Sequence, residues 1–187
     1  VAVADIFGTR ILFNLLGLMT IITAGVVFVF TPAKLHPPQQ SWGAQLQILQ
    51  NQNFLCHLIL STLLFAAMFS SYSYITAYME AQIGLKTQEV ALALFAFGMA
   101  GVIGNSIAAI KAGTNPTRTT VYVAVAQGIV GVLLLFATEK NAFTFLIFAL
   151  WGVSHAAAFA SCQIRVMSCA PQARSFAAAL NISVCNL

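Results

Sequence analysis

The chain has 187 residues, 60% of them hydrophobic and only 6% charged, with a formal net charge of +4. Soluble domains carry about 25% charged residues, so this composition excludes an ordinary water-soluble core. Its eight basic residues are scattered singly and make no patch, which argues against a nucleic-acid partner.

Five stretches run 20 or more residues without a charged side chain: 11–33, 52–79, 90–110, 119–138 and 141–164. About 20 apolar residues in a helix cross a hydrocarbon layer of roughly 30 Å. The expected class is therefore an all-α membrane protein with five spans. A sixth stretch, 175–187, begins in the same way but is too short to cross. The expectation is a chain cut inside this helix and cut also at Val1. The first stretch lacks the basic n-region of a signal peptide and is too long for its apolar core. Cys56, Cys162, Cys169 and Cys185 form no CxxC pair, so no zinc ribbon or disulfide framework is indicated. Neither a metal nor a cofactor is expected.

Charged breaks divide the connections into two alternating sets. One holds Lys34, Lys111, Arg118, Arg165 and Arg174, five bases with no acid. The other holds Asp5, Arg10, Glu80, Lys86, Glu89, Glu139 and Lys140, three bases with all four acids. Excess Lys and Arg mark the cytoplasmic side. This puts 32–51, 111–118 and 165–174 inside, and 1–10, 82–89 and 138–141 outside. In the first inside connection, Trp42, Leu46 and Leu49 form one apolar stripe among glutamines. The stripe fits a short helix lying in the interface or an extension of the next span.

Helices in lipid associate through small residues and close packing. Gly98, Gly101, Gly104 and Ala108 are read as one packing stripe, and Ala124, Gly128 and Gly131 as another. No full span has an interior proline, so bending is left to glycine or to Ser and Thr.

Polar groups at membrane depth cost free energy unless paired or wetted, which makes them site candidates. Ser71, Tyr74 and Tyr78 share a face of the second span. Tyr74 reads equally as a ligand wall or as part of the interfacial aromatic belt, and Tyr78 as belt. In the fifth span, Trp151, His155, Ala158 and Cys162 share a face, with Phe159 beside them. His155 is read either as a proton carrier or as a neutral interhelical hydrogen-bonder. Asn105, Gln127, Gln163, Asn181 and Asn186 are read as interhelical hydrogen-bonders, and His57 as interfacial. None of the charge-free stretches contains Asp or Glu.

Several segments resemble the major facilitator superfamily, in its bacterial drug/proton antiporter branch and more narrowly its arabinose efflux permease group. FGTRILFNLLG looks like the opening of the family's sixth helix, with Thr9 where Trp is usual. YSYITAYMEAQIGLKTQEVALALFAFGMAGVIGNSIA resembles helices seven and eight. CQIRVMSCAPQARSFAAALNISVCN, from Gln163 through Ala170, Pro171, Asn181 and Asn186, resembles the join of helices ten and eleven. The resemblance implies a partial bundle: 1–31 closing an N-terminal half, 32–52 a cytoplasmic linker, and 53–187 an incomplete C-terminal half. The family's gating motif between helices eight and nine places an acid near Gly113, and only Lys111 and Arg118 are charged here. The resemblance further implies a proton-coupled exporter of a small molecule (sugar, nucleoside or drug) in a bacterial inner membrane. The N-terminal half would complete it, with Ser71, Tyr74, Trp151 and His155 facing the cavity. The competing reading is a membrane fragment or structural subunit that transports nothing. A membrane enzyme is the weakest class, since no acidic pair, HExxH or GxSxG motif is present.

Overall fold

The computed structural model describes residues 9–31 and 41–186, and it falls into two units, 1–39 and 40–187. Asp5, Lys34 and the prolines of the predicted linker lie outside the described residues. Every described residue with regular structure is helical. Five helices are long and apolar enough to cross a membrane.

The first unit contributes α1 (Thr9–Phe30). Its hydroxyls turn inward on the helix: Thr20 donates to the Leu16 carbonyl and Thr23 to that of Met19, both at 2.8 Å. A helix in hydrocarbon must satisfy its polar groups this way.

The second unit begins with α2 (Trp42–Gln47) and a 3₁₀ turn (Ile48–Gln50). Asn51 then breaks the helix with an extended backbone and caps α3 (Gln52–Ser73), its side chain accepting from the amides of Asn53 and Phe54. The stripe of Trp42, Leu46 and Leu49 is therefore a separate short helix with its apolar side chains exposed. Next come α4 (Ile75–Ala81), α5 (Thr87–Thr114), α6 (Pro116–Leu134), α7 (Ala142–Ser168) and α8 (Arg174–Cys185).

The second span is interrupted at Tyr74, which separates α3 from α4. Ser71 and Ser73 bond back to the carbonyls of Ala67 and Phe69, at 3.1 and 2.8 Å. Such back-bonding competes with the helical ladder and bends helices, which accounts for the break in a segment without proline.

Helix α7 is the centre of the bundle, and its seam with α5 is built on glycine. A Cβ on Gly104 would run into the Val153 backbone, and one on Gly152 into the Phe97 carbonyl. A Cβ on Gly101 would sit 3.3 Å from that of Ala156. Gly98 stands apart, with nothing within 4 Å of an added Cβ. Steps of three residues rotate the stripe by about 60° each, so Gly98 lies about 120° around from Gly104. Gly128 and Gly131 also meet nothing within 4 Å among the described residues. The packing contacts thus fall on Gly101, Gly104 and the unanticipated Gly152, not on the whole of either predicted stripe.

Two apolar cores result. The larger joins α4, α5, α6 and α7 through Ile75, Met79, Val90, Phe97, Val130, Ile147, Phe148 and Trp151. The smaller joins α3, α7 and α8 through Phe54, Leu58, Val166, Ala170 and Ala177.

Candidate functional site

Two polar clusters interrupt the apolar packing. One surrounds His155, the midpoint of α7. Its imidazole is ringed by Tyr72 and Phe69 of α3 and Phe97 of α5, with ring centroids 5.3, 6.1 and 5.7 Å away. Trp151, one turn earlier, packs edge-on to Phe97 at 5.7 Å and is only 3% exposed. His155 Nδ1 is buried and takes no hydrogen-bond partner among the described residues. An unpaired buried polar atom costs about 1–3 kcal/mol, so this nitrogen calls for a partner that the helices around it do not provide.

The tyrosine beside His155 is Tyr72. Tyr74 instead lines a cavity of about 150 Å³ with Ser71, Ile75, Tyr78, Leu134 and Trp151. Tyr72 follows Phe69 by three residues on one face of α3, and that face meets His155, while Ser71, Tyr74 and Tyr78 keep their shared face on the cavity. The structure brings Ser71, Tyr74 and Trp151 to one cavity, and places His155 among the aromatic rings next to it. Tyr78, predicted for the interfacial belt, is half-buried, and its hydroxyl faces the carbonyls of Leu134 (2.5 Å) and Ala137 (3.1 Å). It ties α4 to the carbonyl end of α6.

The second cluster centres on Arg165, assigned from sequence to a cytoplasmic connection. It lies inside α7 and is 2% exposed. One Nη is 3.1 Å from His57 Nδ1, and the other donates to Ser61 Oγ (2.9 Å) and the His57 carbonyl (3.2 Å). Its Nε is buried without a partner, and no carboxylate pairs with it among the described residues. Since a guanidinium only donates, His57 Nδ1 accepts, and the ring in this contact is neutral with its proton on Nε2. His57 is thus an interhelical ligand of Arg165 rather than a simple interfacial group. Arg165 is in the last turn of α7, so the helix runs three residues past the charge expected to end the span. The histidine and serine one turn apart at the start of α3 were the available signal.

Three of the predicted interhelical amides bond across helices. Ser154 donates to Gln127 (2.7 Å), Asn181 donates to Gln163 (2.7 Å), and Gln163 donates to the Ala178 carbonyl (3.3 Å). Asn186 bonds within its own helix to Ile182, and Asn105 is exposed with no partner among the described residues. At the other end of the bundle, Glu89 accepts from the Lys86 amide and pairs with Lys140.

A family model described as "Major Facilitator Superfamily" matches residues 1–187, the whole chain. The chain belongs to that superfamily, whose members are transporters and not enzymes. It is 26% identical over 190 residues to a protein of Bacillus subtilis (strain 168) named "Uncharacterized MFS-type transporter YtbD". That match covers 96% of this chain and 47% of the relative, so the chain spans about half the relative's length. No solved structure matches.

Proposed function

We propose that the protein acts as the C-terminal half of a secondary active transporter that exports a small molecule in exchange for protons. The observation that carries this reading is His155: a titratable group at mid-span, held among aromatic rings, with a buried nitrogen that has no partner among the described residues. Histidine changes charge near neutral pH, and the charge-free stretches offer no carboxylate for the purpose. Rings with scattered hydroxyls suit a flat, partly polar ligand. His155 and Tyr72 would meet it, with Ser71, Tyr74 and Trp151 walling the adjoining pocket. The family membership supports transport, and the charge alternation of the connections supports a multi-pass protein of the bacterial inner membrane.

The test is made on the full-length parent in inverted vesicles energised to an acidic lumen, with an acridine dye reporting the gradient. Sugar analogues, nucleosides and cationic dyes are added in turn. A compound that collapses the gradient only when the parent is present identifies the substrate class and the coupling together. With that compound in hand, His155→Gln should flatten the pH profile of transport between about pH 5 and 8, which a merely structural histidine would leave intact. No response across the panel, or a His155→Gln profile that matches wild type, defeats the proton-coupled reading.

A further inference from the structure

Where α5 turns into α6, a cavity of about 440 Å³ opens between the two helices and α7. Its size lies within the range of small-ligand sites, roughly 300–1,000 Å³. The turn is abrupt: α5 ends at Thr114, Asn115 caps α6 by accepting from the Arg118 amide at 3.1 Å, and Pro116 starts the helix. This brings Lys111, in the last turn of α5, to the same cavity as Arg118, in the first turn of α6.

The lining is divided by chemistry. Lys111, Arg118, Asn115 and Tyr122 supply polar groups, and Ile107, Val123 and Ala157 supply apolar surface. No carboxylate lines it among the described residues. Arg118 is held in place, its Nε donating to Tyr122 Oη at 2.7 Å and its guanidinium lying 5.4 Å from the centre of that ring. Its Nη groups and the Lys111 ammonium take no partner among the described residues. The Tyr122 hydroxyl accepts from Arg118, so its own proton is free to donate. Four donor-bearing side chains, two of them cationic, thus share a cavity with the apolar side chains of Ile107 and Val123 at the end of two membrane-length helices.

We propose that this cavity binds the phosphate headgroup of an anionic phospholipid, with an acyl chain lying along Ile107 and Val123. Basic pockets between helices at a membrane surface take such headgroups, and each cation near the surface favours an anionic lipid by roughly fivefold. A guanidinium fixed by an aromatic neighbour gives paired donors to phosphate oxygens, and an ammonium adds a point charge. A soluble phosphate would meet the same charged groups but has nothing to lay against Ile107 and Val123. The apolar surface therefore favours the lipid. This site is separate from the His155 cluster and does not depend on the transport reading.

Native mass spectrometry of the full-length parent in detergent tests it, with phosphatidylglycerol, phosphatidylcholine, diacylglycerol or glycerol 3-phosphate added. Wild type should retain phosphatidylglycerol in preference to the other three. K111Q/R118Q should lower that retention about 30-fold, from roughly fivefold for each of two cations, and leave phosphatidylcholine unchanged. Lys111→Arg, which keeps both charges and the Arg118–Tyr122 contact, should keep it, as should Arg174→Gln, which removes a charge outside the cavity. Equal retention by K111Q/R118Q and wild type overturns the proposal, as does an equal loss in Arg174→Gln. Displacement of the lipid by an equal concentration of glycerol 3-phosphate makes the occupant a soluble phosphate and overturns the lipid assignment. Both cations are exposed, so the variants should keep the wild-type melting temperature. Lys111→Gln alone, with about a fivefold loss, repeats the test at half the perturbation.

Discussion

The two sides of α7 are joined to their neighbours by opposite means. Towards α5 the contact is backbone against glycine, with Gly104 under Val153 and Gly152 under Phe97. Towards α3 and α8 an apolar core is joined by polar contacts that the α5 seam lacks: Arg165 reaches His57 and Ser61, and Gln163 joins Asn181 and the Ala178 carbonyl. Both solve one problem, since apolar side chains gain nothing by leaving lipid for each other. Close approach maximises dispersion contacts and leaves no slack. Hydrogen bonds between side chains can be remade with other partners. The α5–α7 pair is therefore the fixed element of the bundle, and α3 with α8 the part able to change its contacts.

Substitutions can break this contrast, beginning with the largest effect. Gly104→Leu or Gly152→Leu should cost about 3 kcal/mol or abolish folding, because the added carbons must push helix backbone apart. Reversible unfolding in mixed SDS micelles measures this, and a loss below about 1 kcal/mol would mean the seam can open. On the other side, Arg165→Lys keeps the charge but loses the fork that reaches His57 and Ser61 together. It should cost about 1–3 kcal/mol by the same measurement. His57→Gln, which retains an acceptor, should cost less than His57→Leu. Equal costs would show that the imidazole contributes packing only. Tyr78→Phe removes the hydroxyl facing Leu134 and Ala137 and should cost about 1 kcal/mol. The smallest change is Gly128→Ala. With nothing near its added Cβ, it should be neutral or stabilise α6 by up to about 1 kcal/mol. A clear destabilisation would reveal a partner for that face.

Much of the fold was legible because charge-free length is a direct physical requirement of crossing a bilayer. The five membrane-length helices and the short α8 follow from it. Helix ends were less legible. Charge was taken to mark them, yet α7 carries Arg165 inward and α5 begins at Thr87, before Glu89. A charged residue can sit within a helix when another helix brings it ligands, and spacing along one helix carries no sign of that. The same limit applies to the glycines. Gly104 and Gly152 matter because of what lies opposite, which no single stripe reveals. Trp151 and His155 were placed on one face of α7 from spacing alone. Tyr72 stands beside the imidazole because the Phe69 face of α3 turns towards α7, and spacing along α3 does not say which face does so.

The break at Tyr74 has a mechanical consequence. Below it, α3 is fastened to α7 through Arg165 and shares the smaller core with α8. Above it, α4 is fastened to α6 through Tyr78 and belongs to the larger core. The second span is therefore two helices with different anchors, α3 on the last turn of α7 and α4 on the carbonyl end of α6, joined at a single residue. The cavity lined by Ser71, Tyr74 and Trp151 lies at that joint, so its walls come from both parts of the span and from α7.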